Sequence, residues 1–158
     1  MKRRFILTLI GALVLSLLQV PHAIADQVYH SERLSFWLDD GADARHPELR
    51  SGHVINIHPN GPVNGALERY MINGAAANAN YQVVILAFTD LGCAGEPTLS
   101  IPTALLETNA QGNAHGRAHF SRTDLDPFSG ATFGVFWTLE DEDGVVAYRT
   151  DCTVVSID

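Results

Sequence analysis

The chain has 158 residues, with 10 basic and 18 acidic side chains and a formal charge of −8. This length suffices for one domain with a buried core. The acidic balance argues against nucleic acid and against anionic membrane surfaces as partners, because both require a basic contact surface.

Residues 1–25 have the pattern of a secretory signal peptide. Basic side chains at positions 2–4 precede an apolar run, residues 5–20, that is too short for a typical membrane span. A small-x-small cleavage motif ends the segment, so cleavage is predicted between Ala25 and Asp26. No cysteine stands directly after this cleavage point, so nothing suggests a lipoprotein anchor, and no membrane anchor is expected after cleavage.

The mature chain, residues 26–158, is therefore predicted to be one domain that is secreted or periplasmic. It keeps seven arginines, no lysine and 18 acidic residues, a formal charge of −11. Its two cysteines, Cys93 and Cys152, are expected to form a disulfide in an oxidising compartment. The closed loop of about 60 residues would contribute on the order of 4 kcal/mol through chain entropy. Two buried free thiols are the alternative.

Short apolar runs separated by turn residues predict an all-β fold. In chain order, the first strand candidates are residues 34–38, 53–58 and 66–72, with a surface connection over 39–51 and a turn after 72. The next, residues 81–89, is apolar on both faces and is typical of a central strand covered on both sides.

Two further strands are predicted at 104–108 and 115–122, with loops at 90–97 and 124–130. The clearest strand is 132–140. There the side chains that alternate toward the core are Phe133, Val135, Trp137 and Leu139.

A hairpin turn at Asp143-Gly144 leads into a return strand over 145–157. The whole pattern predicts an antiparallel β-sandwich of about seven to nine strands.

The turn Asn73-Gly74, followed by Tyr81 and alternating apolar residues, resembles a corner in immunoglobulin-like and fibronectin III-like sandwiches. In that corner the tyrosine hydroxyl bonds the backbone. Residues 63–158, with the Cys93 loop and the segment 148–152, are also similar to uncharacterised small secreted bacterial proteins. The resemblance implies an immunoglobulin-like sandwich and no activity. The core cysteine pair of immunoglobulins is absent, because Cys93 falls in a loop.

Four histidines are candidate metal ligands. His115 and His119 share one strand face with Arg117, which we expect to be exposed. They lie roughly 13 Å apart at the usual strand rise, too far for one metal ion. A site would need His53 and His58 from a neighbouring strand, and surface histidines are the simpler interpretation. The chain has no His-x-His pair, which excludes a copper–zinc superoxide dismutase.

Acidic runs at 39–43 and 140–143 are interpreted as solvated turns, because calcium needs six or more suitably spaced oxygens. Trp37 and Phe136 are predicted to lie off the core face. They either pack under a second covered face or form a patch that binds a protein or a carbohydrate.

Catalytic signatures are missing: the sequence has no nucleophile elbow, zinc-protease motif, phosphate loop or dinucleotide fingerprint. We therefore expect a non-enzymatic binding module without a cofactor, whose ligand is an unknown protein or carbohydrate. The alternatives are a hydrolase or metal-dependent enzyme with its site on the loops, and a structural component of the cell envelope.

Overall fold

The computed structural model describes residues 29–59 and 65–157. The predicted signal peptide and its cleavage site lie outside these residues. Within the described part no helix is long and apolar enough to cross a membrane.

The described residues form ten strands, which fold into two antiparallel sheets packed as a sandwich. The strands are β1 (Tyr29–Ser35), β2 (Trp37–Leu38), β3 (Ser51–Pro59), β4 (Gly65–Asn73), β5 (Asn80–Phe88), β6 (Leu99–Glu107), β7 (Ala114–Ser121), β8 (Thr132–Glu140), β9 (Val146–Arg149) and β10 (Thr153–Ser156). A four-stranded sheet has the order β1-β3-β4-β7. A six-stranded sheet has the order β2-β9-β8-β5-β6, with β10 also paired to β8. The predicted β-sandwich is confirmed.

Two predicted strands are each split in two, which raises the strand count above the expected range. The strand predicted over 34–38 divides at Phe36, where the chain passes from the four-stranded to the six-stranded sheet. Phe36 is buried, and its N–H donates to the Gly52 carbonyl over 3.0 Å. The return strand over 145–157 is interrupted at Thr150, whose hydroxyl accepts from the Trp137 N–H over 3.2 Å.

Strand β6 begins at Leu99, five residues before the predicted start at 104. Pro102 discourages a strand assignment from sequence, because proline lacks the N–H that a sheet ladder needs. The structure places β6 at the edge of its sheet, where a missing donor is tolerated.

The loop predicted at 124–130 contains helical turns. Helix α1 (Arg122–Leu125) and a 3₁₀ turn (Asp126–Phe128) connect β7 to β8. Ser121 caps α1: its hydroxyl accepts from the Asp124 N–H, and its own N–H donates to the Asp124 carboxylate over 2.8 Å. Such a reciprocal cap satisfies two donors that the first turn would leave open.

The disulfide between Cys93 and Cys152 is present, as predicted, with Cα atoms 6.0 Å apart. It fastens the loop after β5 to the segment between β9 and β10. Gly134 makes the close approach of this loop possible, because a Cβ there would lie 2.4 Å from the Asp90 carbonyl oxygen.

The core between the sheets is unevenly filled. At the end nearest the β8–β9 hairpin, which we call the closed end, the inward side chains are fully buried: Val54, Ile72, Tyr81, Leu106, Leu139 and Tyr148. Toward the opposite end, which we call the open end, the inward apolar side chains are only partly buried: Leu99, Ile101, Ala118, Phe120, Phe133 and Val155.

Candidate functional site: a cavity between the sheets

A cavity of about 730 Å³ occupies the open end of the sandwich. Its walls are the inward faces of both sheets. The four-stranded sheet contributes β4 and β7, and the six-stranded sheet contributes β5, β6, β8 and β10. The connection formed by α1 and the 3₁₀ turn borders the cavity with Leu125 and Phe128. Small-molecule sites in proteins have volumes of about 300–1,000 Å³.

The alternation of side chains between the two faces of each strand produces this lining. Alternate residues point inward, and at the open end several of them are small: Ala66 on β4, Ala87 on β5 and Ala118 on β7. Larger apolar side chains complete the walls, among them Ile101, Phe120, Phe133 and Val155. These three alanines reach less far into the space between the sheets than larger apolar side chains would.

Among the described residues that line this cavity, Glu68 is the buried carboxylate, whereas Asp124 is exposed. Glu68 lies on β4, its side chain points inward, and the residue is only 3% exposed. Its Oε2 atom accepts hydrogen bonds from the Tyr70 hydroxyl and from the Trp137 indole N–H, the latter over 3.0 Å. Its Oε1 atom has no hydrogen-bond partner within residues 29–59 and 65–157.

Burial controls the ionisation of Glu68. Desolvation raises its pKa from the ordinary 4.5 to about 7, although the hydrogen bonds from Tyr70 and Trp137 act in the opposite direction. Burial and the neighbouring carboxylate also raise the pKa of Tyr70, so Tyr70 keeps its proton and remains a donor. Glu68 can therefore exist in both charge states near neutral pH.

Other polar groups are few in the cavity interior. Asn56 pairs with Glu68 across β3 and β4, is 4% exposed, and has no side-chain hydrogen bond to the described residues. Thr103 contacts the Tyr70 hydroxyl over 2.9 Å. An apolar space with a few convergent polar groups at its inner end is suited to binding a small amphipathic molecule.

The structure places three of the four candidate metal-ligating histidines on the outward face of the four-stranded sheet. His53 and His115 flank Met71 in one row across β3, β4 and β7. His119 lies four residues further along β7 and is exposed, as His115 is. The fourth candidate, His58, pairs with His30, and its side chain lies outside the described residues. No group of three or more metal-ligating side chains converges in the described part of the chain.

His53 interacts with an arginine. Its Nδ1 atom lies 3.2 Å from the Arg33 guanidinium. Burial, followed by the charge of Arg33, holds the pKa of His53 below its ordinary value. His53 therefore favours its neutral form beside a permanently charged neighbour.

Arginines dominate the same outward face. Arg33, Arg69 and Arg117 lie in one row across the sheet, and Arg69 directly opposes Arg117. All three are exposed, and none takes part in an ion pair among the described residues. No described position of β1, β3, β4 or β7 that faces outward carries an acidic residue. Directly opposed like charges destabilise a sheet unless an anion balances them.

The predicted patch residues Trp37 and Phe136 come together on the outward face of the six-stranded sheet. The Arg149 guanidinium lies 5.1 Å from the Trp37 ring centre and 4.6 Å from that of Phe136. Phe136 also stacks on Phe88 with ring centres 5.2 Å apart, and it is buried. The two aromatics are thus joined through Arg149 rather than displayed as an open apolar surface.

A buried polar cluster closes the other end of the sandwich. The His46 ring lies 3.2 Å from the Tyr81 hydroxyl and 3.1 Å from Asp141 Oδ2. The Tyr148 hydroxyl donates to the Pro47 carbonyl over 2.8 Å. Because Tyr81 is fully buried, a substrate cannot reach its hydroxyl. The cluster fastens the connection over 39–50 to the core.

Arg45 joins the two acidic runs, residues 39–43 and residues 140–143. Its guanidinium pairs with Asp43, with Asp143 over 3.1 Å and with Asp141 over 3.4 Å. An arginine thus neutralises the carboxylates that a calcium ion would need.

Glu68 is not among the site residues predicted from the sequence, although the sequence carries a signal for it. Glu68 shares the period-two face of Ala66, Tyr70 and Ile72, so the strand predicted over 66–72 carries a carboxylate on its apolar side. A charged residue at an inward position is more informative than an exposed apolar one. The row of Arg33, Arg69 and Arg117 had no comparable signal, because it depends on strand pairing.

No known protein family, curated protein or solved structure matches the chain.

Proposed function

We propose that the protein is a secreted or periplasmic binding module, without enzymatic activity, that holds a small and largely apolar molecule between its two sheets. The cavity at the open end is the observation that carries this proposal. Export after removal of residues 1–25 and an immunoglobulin-like relationship belong to the same proposal. The disulfide supports export, because such bonds persist in oxidising compartments.

Burial of ligand surface would provide the affinity. The walls include partly exposed aliphatic and aromatic side chains, such as Ile101, Phe120 and Phe133, which apolar contact with a ligand would remove from water. The strands are hydrogen-bonded within each sheet, and the disulfide fixes the loop after β5 to the segment before β10, so the cavity is largely preformed. A preformed site loses little entropy on binding.

A fluorescence titration tests this function. The neutral apolar dye N-phenylnaphthylamine should bind the purified protein saturably with one site per chain. Ala118→Phe and Ala66→Leu should each weaken binding at least tenfold, because both fill the cavity. Ala110→Phe places the same side chain as Ala118→Phe on an exposed turn and should leave the affinity unchanged.

The absence of saturable dye binding would contradict the proposal. So would equal affinity in Ala110→Phe and in both cavity-filling variants. Circular dichroism confirms that each variant is folded before it is compared.

A second candidate function concerns the outward face of the four-stranded sheet. We infer that the row of Arg33, Arg69 and Arg117 docks an acidic polysaccharide. Charge complementarity supports this, since three of the seven arginines that follow residue 25 stand together on a face without acidic neighbours. Half-buried Ile55 lies between Arg33 and Arg69, and half-buried Ile57 and Leu67 in the adjacent row offer further apolar contact.

Retention on a polyuronate gel tests this docking. Wild-type protein should bind alginate beads in low salt, elute as salt rises, and not bind neutral agarose. Arg69→Gln should reduce retention. Arg122→Gln, an equally exposed arginine on α1, should retain wild-type behaviour. Equal binding to neutral agarose, or no effect of Arg69→Gln, would refute the docking.

A further inference from the structure

We infer that the molecule held in the cavity is an organic cation, with an apolar body along the walls and a protonated amine against the carboxylate of Glu68. This inference rests on the proposed function and specifies the ligand of the same site. The ligand's charge is positive, and Glu68 Oε1 is the atom that receives it.

The hydrogen bonding of Glu68 indicates where the ligand's head lies. Oε2 already accepts two donors, from Tyr70 and Trp137, whereas Oε1 of this cavity-lining residue has no partner in the described residues. An ammonium group at Oε1 would form a charge-assisted hydrogen bond in a place largely shielded from water. It would also offset the penalty of burying a carboxylate whose charge is otherwise unbalanced.

Aromatic rings strengthen the case for a cation. Trp137, Phe120 and Phe133 line the cavity together with Glu68. Aromatic faces attract ammonium groups, and a carboxylate beside aromatic rings is a common arrangement for binding organic cations. The formal charge of −8 on the chain would also draw cations toward the protein.

The other ionisable residues that line the cavity are Arg117, His119 and Asp124. All three are exposed, so they lie in contact with water rather than at the inner end. Arg117 and His119 belong to the outward face of β7, so they place no positive charge beside Glu68 at the inner end. Glu68 should therefore favour cationic over anionic ligands, because its carboxylate would repel an anionic head from the inner end.

Three ten-carbon ligands test the inference by displacement of N-phenylnaphthylamine: decylamine, decanol and decanoate, each below its aggregation concentration. At pH 8, decylammonium should bind wild-type protein at least tenfold more tightly than decanol. In Glu68→Gln, which keeps the size of the side chain, the two affinities should agree within about twofold. The dye affinity is measured separately for each protein, so that each displacement constant refers to its own protein.

Several outcomes would overturn the inference. Equal binding of decylamine and decanol to wild-type protein would do so, as would tighter binding of decanoate or an undiminished amine preference in Glu68→Gln. Dye binding with no amine preference would refute the cation while leaving the binding function intact. No dye binding at all would refute the binding function and the inference with it.

A calorimetric measurement on wild-type protein needs no variant. An ammonium at Oε1 lowers the pKa of Glu68, which is about 7 in the free protein. Decylammonium binding at pH 7 should therefore release about half a proton per ligand. Titration in two buffers of different ionisation enthalpy measures this number. Zero release, or uptake, would contradict an ammonium next to Glu68.

Discussion

The closed and open ends of the sandwich use the same alternating strands, but one end is filled and the other is hollow. At the closed end, Tyr81 and Tyr148 pack edge to face with ring centres 5.6 Å apart, and His46 lies against both rings. At the open end, alanines occupy comparable inward positions on β4, β5 and β7. Small side chains on these strands therefore contribute to the hollow at the open end.

The connections reinforce this difference. Residues 39–50 cover the closed end and bring the His46 ring and the Pro47 carbonyl onto the core tyrosines. Within residues 29–59 and 65–157, the crossing from one sheet to the other beside the cavity is made by α1 and the 3₁₀ turn. Glu68 and Trp137 lie between the two regions. Stability should thus come mainly from the closed end and ligand binding from the open end.

The largest expected difference between the ends comes from one substitution made in both. Leu139→Ala at the closed end should lower the free energy of unfolding by about 2–5 kcal/mol, because Leu139 is fully buried among well-packed neighbours. Leu99→Ala beside the cavity should lower it by less than about 1 kcal/mol, because Leu99 is partly exposed already. Urea unfolding at pH 7 measures both, and equal losses would remove the distinction between the ends.

Removal of the disulfide should affect the two ends equally. The double variant Cys93→Ser/Cys152→Ser should lower the free energy of unfolding by about 2–4 kcal/mol. The disulfide closes a loop over a sequence separation of 59 residues, and without it the unfolded chain gains conformational entropy. The difference between Leu139→Ala and Leu99→Ala should be unchanged in this background. A smaller difference there would mean that the disulfide supports one end specifically.

The boundary between the ends should respond to pH through Glu68. Its pKa is higher in the folded protein than the ordinary 4.5, so the folded state holds the proton more tightly. The resulting stabilisation is fully present below about pH 4.5 and is lost as pH rises through about 7. The loss is on the order of 3 kcal/mol.

Glu68→Gln carries no titratable group and isolates this effect. Compared with that variant, wild-type protein should lose stability between pH 4.5 and pH 8. Urea unfolding of both proteins at several pH values measures the difference. Parallel curves for the two proteins would show that Glu68 is not desolvated.

The smallest effect concerns the fastening of the closed end. Tyr148→Phe removes the hydrogen bond to the Pro47 carbonyl and should lower stability by about 1 kcal/mol. Hydrogen exchange should show faster opening of residues 44–49 in this variant, while dye binding in the cavity stays the same. Altered dye binding would indicate that the two ends are coupled.

The sequence predicted much of the fold because the alternation of inward and outward side chains can be recognised within a single strand. The alternation of Val135, Trp137 and Leu139 was read correctly, and Gly144 correctly marked the hairpin turn. The split at Phe36 could not be predicted, because the transfer of a chain between sheets depends on partners distant in sequence. The edge position of Pro102 was hidden for the same reason.

The candidate site was less accessible than the fold. Glu68 could have been noticed as a charge on an apolar face, but its partner Trp137 lies 69 positions away in sequence. The pairing of Arg69 with Arg117 likewise depends on β4 lying beside β7. The sequence predicted Trp37 and Phe136 as members of one patch, and both contact the same Arg149 side chain. Arg149, which lies over both rings, was not part of that prediction.

Residue order alone determined the class of fold, the cysteine pair and the direction in which most strand side chains face, since these follow from local alternation and from the parity of two cysteines. Tertiary structure decided where the sandwich is hollow, which carboxylate lies at the inner end of that space and which arginines form one row. These features depend on the sum of side-chain volumes and charges contributed by strands far apart in the chain. The residue pattern within one strand therefore does not predict them.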